Sequence, residues 1–189
     1  SMWRKAYATK YWALLREHAA VVSAQLFGHS HYDEFRVWAR TGDGAAVLAS
    51  PPLLQLAAVS PIYGNNPTVY ELVLDDESLR LIGVRAHYAA LGGSGSTPPS
   101  PLRFEPEYAA PPTDLALTNG AYARLARSLL ENSTAAETAF ADWFGRLRSR
   151  HLGEKRCTRA TDVFGDCATC EGACRRAYVC LLAAGVDER

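Results

Sequence analysis

No stretch of this chain approaches the run of roughly 20 apolar residues that a helix needs to cross a bilayer, so a spanning helix within these residues is not expected. A charge excess of either sign is also missing, since 20 Lys and Arg face 20 Asp and Glu. Without a cationic surplus the attraction that holds a nucleic-acid polymer has no source, and no such partner is expected. The opening residues, Ser1-Met2-Trp3-Arg4-Lys5, contain no apolar core like that of a secretory leader; Ser1-Met2 reads as a cloning remnant before an internal start. Cysteine is absent before residue 157, and all five cysteines follow that point. Five is an odd number, so at least one thiol has no partner within the chain. No internal repeat is visible. What remains is 189 residues of ordinary globular composition, enough for one core, or for one core with a small appendage.

Hydrophobic periodicity organises the first half. Residues 6–23 suggest a helix, with Tyr7, Tyr11, Leu14, Leu15 and Val22 roughly on the 3.6-residue period. Ala24-Gln25-Leu26-Phe27 is a short apolar run ending at Gly28, which suits a buried strand. Residues 33–39 alternate, with Phe35 and Val37 on one face, and suggest a second strand. Thr41-Gly42-Asp43-Gly44 has turn chemistry, and residues 53–59 suggest another strand. Ser60-Pro61-Ile62-Tyr63-Gly64-Asn65-Asn66-Pro67 reads as a rigid loop. Residues 68–74 and 79–88 then form a β-hairpin around Asp75-Asp76-Glu77-Ser78. From Gly92 to Pro112 the chain is rich in Gly, Ser and Pro, the composition of a linker or long surface loop. Helices are predicted over 119–131, 135–150 and about 170–184. Trp12, Trp143 and Phe144 fall on apolar helical faces and read as core.

The pattern with the most chemistry is Phe27-Gly28-His29-Ser30-His31. Two histidines separated by one small residue, on a loop leaving a strand, can present imidazoles to two adjacent metal ions. In two-metal hydrolases such ions lie roughly 3.5–4 Å apart and clamp the attacking and leaving oxygens of a phosphoester. Gly28 permits a tight turn at the strand end, and Ser30 is small enough not to crowd the ions. The competing reading is a surface loop with incidental histidines. His18, His87 and His151 read as structural, His151 at a helix end where a cation suits the dipole.

Gly28-His29-Ser30-His31 is similar to the GHxH motif that closes the metal site of calcineurin-type metallophosphoesterases. The longer stretch from Ala24 to Phe35 resembles the acid sphingomyelinases and their phosphodiesterase relatives, as does Val59 to Pro67 followed by Val69-Tyr70. The resemblance covers roughly residues 3–90. It implies an α/β chain built from part of a metallophosphoesterase β-sandwich: residues 1–90 the closing part of the catalytic domain, 91–112 a linker, and 113–189 a helical, cysteine-bearing C-terminal subdomain. It implies that His29 binds the second metal and His31 the first, both ions usually zinc, which neutral imidazole suits. It implies a phosphodiester substrate, sphingomyelin or a nucleotide or similar small diester, and a secreted, lysosomal or other lumenal setting. Tyr32 beside the motif and Tyr63 in the following loop are weaker candidates for lining the substrate cleft.

The departures matter as much. The family's remaining ligands come from motifs upstream of GHxH: a DxH, a GD, a GNH and a further histidine. No DxH occurs here, and Gly64-Asn65-Asn66-Pro67 lacks the histidine of a GNH and is assigned to a turn. Two histidines, one per metal, cannot build a dinuclear site alone, so activity is expected to need a further, upstream catalytic segment. A non-catalytic interaction or folding module retaining the loop is the alternative. A part-sandwich would also expose a sheet edge and apolar surface, which favours self-association.

The cysteines are Cys157, Cys167, Cys170, Cys174 and Cys180. Cys167-Ala168-Thr169-Cys170 is a CxxC, compatible with zinc or redox chemistry. The family's tail is disulfide-bonded, which puts disulfides first, with connectivity open. Asn132-Ser133-Thr134 is a glycosylation sequon, and Ser133 or Thr134 could equally cap the helix that follows.

Overall fold

The computed structural model describes residues 4–38, 43–92, 103–110, 117–147, 155–161, 167 and 169–183. Helix α1 (Lys5–Glu17) buries Ala8, Trp12 and Leu15, with Ala19 just past its end, at the four-three-four spacing of one helical face. Trp12 stacks on Trp38 at 6.1 Å between ring centroids, and Val47 closes this small core. The expected face is corrected here: Tyr7 and Leu14 are 61% and 54% exposed. Counting only large residues overlooks the alanines, whose small size lets the helix approach its neighbours. The helix also stops earlier than expected, with His18 N–H bonded to the Leu14 carbonyl.

Strands β1 (Gln25–Phe27) and β2 (Glu34–Arg36) flank β3 (Leu53–Gln55). The sheet order is β1-β3-β2, with β3 parallel to β1 and antiparallel to β2. The connection 28–33, which carries both motif histidines, therefore passes over the end of β3. Helix α2 (Ala45–Ala49) leads into β3. A second sheet is an antiparallel meander of β4 (Thr68–Leu74), β5 (Leu81–Tyr88) and β6 (Glu105–Ala110). Its first hairpin has the expected turn: the N–H and hydroxyl of Ser78 donate to Asp75 Oδ1 at 2.8 and 2.6 Å. Those bonds hold the exposed Asp75 carboxyl below its usual range. β6 lies inside the Gly/Ser/Pro-rich segment 91–112.

Helix α3 (Asn119–Ser128) is capped by Thr118, whose side chain accepts from Ala121 N–H. Helix α4 (Thr134–Leu147) starts behind Ser133, whose Oγ accepts from Ala136 N–H at 3.2 Å; both are side-chain N-caps. The short parallel pair β7 (Arg156–Cys157) and β8 (Thr169–Cys170) precedes α5 (Ala173–Ala183).

One hydrophobic core joins the sheets to the helices. Phe35 and Val37, Leu54, and Leu81 and Val84 meet Tyr122 and Ala126 of α3, Phe140 and Phe144 of α4, and Tyr178, Val179 and Leu182 of α5. Burial of each large apolar side chain stabilises by roughly 1.5–3 kcal/mol. Trp12 and Phe144 are buried, and Trp143 is partly buried against the same core, as expected of all three. Polar ties fix the packing. Tyr178 donates to Glu34 Oε1 at 2.8 Å, and Val37 N–H bonds the Leu182 carbonyl, so α5 is fastened to β2. The fully buried Asn119 accepts from Trp38 N–H at 3.2 Å and donates to the Val47 carbonyl at 3.2 Å. The architecture is mixed α/β with small sheets; it does not by itself define a metallophosphoesterase sandwich. No helix among the described residues is long and apolar enough to cross a membrane.

Candidate functional site

The histidine loop runs from Gly28 to Asp33, between β1 and β2. Both histidines have left-handed backbones, His29 at φ 90° and His31 at φ 64°. Non-glycine residues seldom adopt such angles, and they cluster at functional sites where the surroundings enforce them. Here Ser30 Oγ accepts from Gln55 Nε2 on β3 and from Tyr32 N–H at 3.3 Å, which pins the centre of the loop.

The loop 60–67 docks against it. Tyr63 meets the His31 ring edge-on at 5.1 Å and tilts against Tyr32 at 6.3 Å. Asn65 Nδ2 donates to the His31 carbonyl at 2.8 Å. The four candidates His29, His31, Tyr32 and Tyr63 thus sit on two loops in contact. Tyr63 and His29 are exposed, and Tyr32 is buried. His31 is half-buried, and its Nδ1 is buried without a hydrogen-bond partner.

Behind the loop lies a buried carboxyl that the sequence reading did not single out. Asp33 accepts from the Tyr70 hydroxyl at 2.9 Å, and that hydroxyl accepts from Ala57 N–H at 2.9 Å. Burial pushes the Asp33 carboxyl up to about 8; nearby Glu34 adds to this and the Tyr70 bond opposes it. The Tyr70 and Tyr122 hydroxyls are pushed upward by burial and by the Asp33 charge. A polar residue just past the motif, followed by an apolar alternation, was the available signal.

Imidazole suits zinc, and the unpartnered Nδ1 of His31 is the kind of atom a ligand would satisfy. Yet among the described residues no group of three His, Cys, Asp or Glu is placed to hold a metal ion. The donor set here does not fit a complete metal site.

The remaining candidates lie elsewhere. His18 is exposed at the end of α1, near Glu17. His87, on β5, faces Glu71 at 3.8 Å. His151 lies outside the described residues. Asn132 is exposed in the turn between α3 and α4. Cys157 pairs with Cys167 and Cys170 with Cys174, and Cys180 is a free, exposed thiol. Four sulfurs are thereby committed to disulfides, a state proper to oxidising compartments and compatible with an extracellular or lumenal location.

No family model matches the chain. It is similar to a sphingomyelinase phosphodiesterase D of Dictyostelium discoideum, at 24% identity over 87 residues, 46% of this chain and 20% of that protein. The chain thus aligns with about a fifth of that relative's length. This supports a phosphodiesterase-like reading and nothing finer.

Proposed function

We propose that the chain is the closing part of a metal-dependent phosphodiesterase, acting on sphingomyelin-like lipids, nucleotides or similar small diesters. His29 and His31 supply imidazole ligands, and the other ligands come from an upstream segment of a longer protein. The observation that supports this best is the His29–His31 loop itself. Two strained histidines, one with a buried unpartnered ring nitrogen, stand on a strand-end loop in a chain similar to a sphingomyelinase. Zinc suits these donors. The exposed Tyr63, with the buried Tyr32 behind it, stands where a substrate cleft beside the histidines would lie; residues 1–90 are the closing part of the catalytic domain and 113–189 the helical subdomain, and the segment 91–112 that joins them adds β6 to the second sheet. Secretion or a lumenal setting, a glycan on the exposed Asn132, and self-association belong to the same proposal.

One observation favours a second reading, a non-catalytic module that keeps the loop: no third metal donor joins the histidines among the described residues. The two separate in one experiment. The chain is incubated with bis-p-nitrophenyl phosphate and zinc, alone and joined to its upstream segment. Turnover that needs that segment and is lost in His29→Ala and His31→Ala supports the hydrolase. No turnover in either form, with both folded, supports the module.

A further inference from the structure

We infer that Asn65 is a positioning residue for His31, holding its backbone in the left-handed conformation that aims the imidazole. The functional meaning rests on the hydrolase reading above; the structural claim does not. A non-glycine residue in this region costs on the order of 1–2 kcal/mol, so something must hold His31 at φ 64°. Of the contacts around the loop, the bond from Asn65 Nδ2 reaches the His31 backbone itself. The Tyr63 contact is ring to ring, and the Gln55 bond ends on the Ser30 side chain.

Asn65 can hold because its own loop is rigid. Gly64, at φ 77°, closes a turn with its N–H on the Pro61 carbonyl at 2.9 Å. Pro67 limits the backbone beyond. The Asn66 Oδ1 accepts from Leu91 N–H at 2.9 Å, and Thr68 N–H bonds the Ala58 carbonyl at 3.1 Å. The loop is thus tied to the chain just before and just after the β4–β5 hairpin, and Asn65 projects from it almost wholly buried.

A second observation points the same way. Among the described residues, the buried side-chain polar atoms without a partner are His31 Nδ1 and Asn65 Oδ1. They belong to the two residues that this one hydrogen bond joins. Buried orphans are rare and costly in folded proteins. Their coincidence here marks a junction kept for what it presents rather than for packing alone.

Asn65→Asp keeps the shape and removes the donor. With histidine rings labelled in the purified chain, Asn65→Asp should move the His31 ring and amide resonances while leaving those of His18 and His87 in place. It should lower Tm by roughly 2–10 °C, the loss of one buried donor in a chain of this size. The Tm drop alone does not report on φ, because any residue at 31, glycine included, keeps the accepting carbonyl. The three-bond HN–Hα coupling of His31 does: in Asn65→Asp it should leave the value proper to φ 64°. A coupling that stays unchanged would overturn the assignment. If Asn65→Asp fails to fold because it buries a carboxylate, Asn65→Ala, which removes the donor without adding a charge, is read by the same coupling with the same two outcomes. None of these readouts needs metal or substrate, so a negative hydrolysis assay leaves them intact.

Discussion

Replacing Asp33 by Asn should remove a pH dependence that is built into the loop's foundation. The carboxyl is 6% exposed, and burial lifts it from 3.8 to about 8. The folded chain therefore holds this proton more tightly than the unfolded chain does. Its contribution to stability is full below about pH 4 and is lost as the pH rises toward 8. At 1.36 kcal/mol per pKa unit the shift sets a ceiling on the order of 5 kcal/mol, which relaxation around the ionised group will reduce. The amide of the Asp33→Asn variant cannot ionise, and its oxygen can still accept from the Tyr70 hydroxyl. Urea unfolding followed by tryptophan fluorescence, at each pH from 5 to 9, gives the difference between the two proteins. Other titrating groups are common to both and cancel. At pH 5 the variant should lead by up to about 1.6 kcal/mol, since the unfolded carboxyl has already ionised there, with about 1 kcal/mol either way for the altered hydrogen bond, and its lead should grow by a further several kcal/mol at most by pH 9. A difference that does not change with pH, or a wild type that gains on the variant as the pH rises, would refute the reasoning.

His29→Gly should raise Tm by roughly 2–4 °C, because glycine relieves about 1 kcal/mol of strain at φ 90°; differential scanning calorimetry checks it, and a lower Tm contradicts it. Asn119→Ala should cost roughly 1–3 kcal/mol in chemical denaturation, because it strands the Trp38 N–H in a buried site; the Val47 carbonyl keeps its bond from the Ser50 hydroxyl at 2.7 Å. Peptide mapping without reduction should recover the 157–167 and 170–174 pairs with Cys180 free to alkylate. Reduction should destabilise by about 2–3 kcal/mol per bridge on loop-closure grounds, whereas Cys180→Ser should change little.

Local chemistry made much of this fold legible. The hairpin of β4 and β5 follows from the two strand-like runs on either side of an Asp/Ser turn, and α4 from its apolar face and the cap at Ser133. The strand that delivers the histidines follows from an apolar run stopped by glycine, but it is not the buried strand expected: Leu26 is exposed and the polar Gln25 is the residue it buries. What was hidden depends on partners far apart in the chain. Tyr178 and Glu34 are 144 positions apart, and Asn65 and His31 are 34 apart, so neither pair leaves a local pattern. Asn65 instead carried the local signal of a turn over 64–67; the turn closes earlier, from Pro61 to Gly64, and Asn65 follows it and reaches across to the motif. β6 escaped notice because its strand-forming residues follow a Gly/Ser/Pro-rich stretch and include Pro106, which pairs at an irregularity in the ladder. The left-handed backbones of His29 and His31 were equally invisible, since histidine does not advertise a positive φ as glycine does.

Whether the two imidazoles bind metal is tested most directly by metal content. The protein joined to its upstream segment is dialysed against zinc-free buffer, reloaded, and analysed for zinc per chain, beside His29→Ala and His31→Ala. Each substitution should lower the bound zinc while circular dichroism stays unchanged. Equal zinc in all three proteins, or none in any of them, would contradict it.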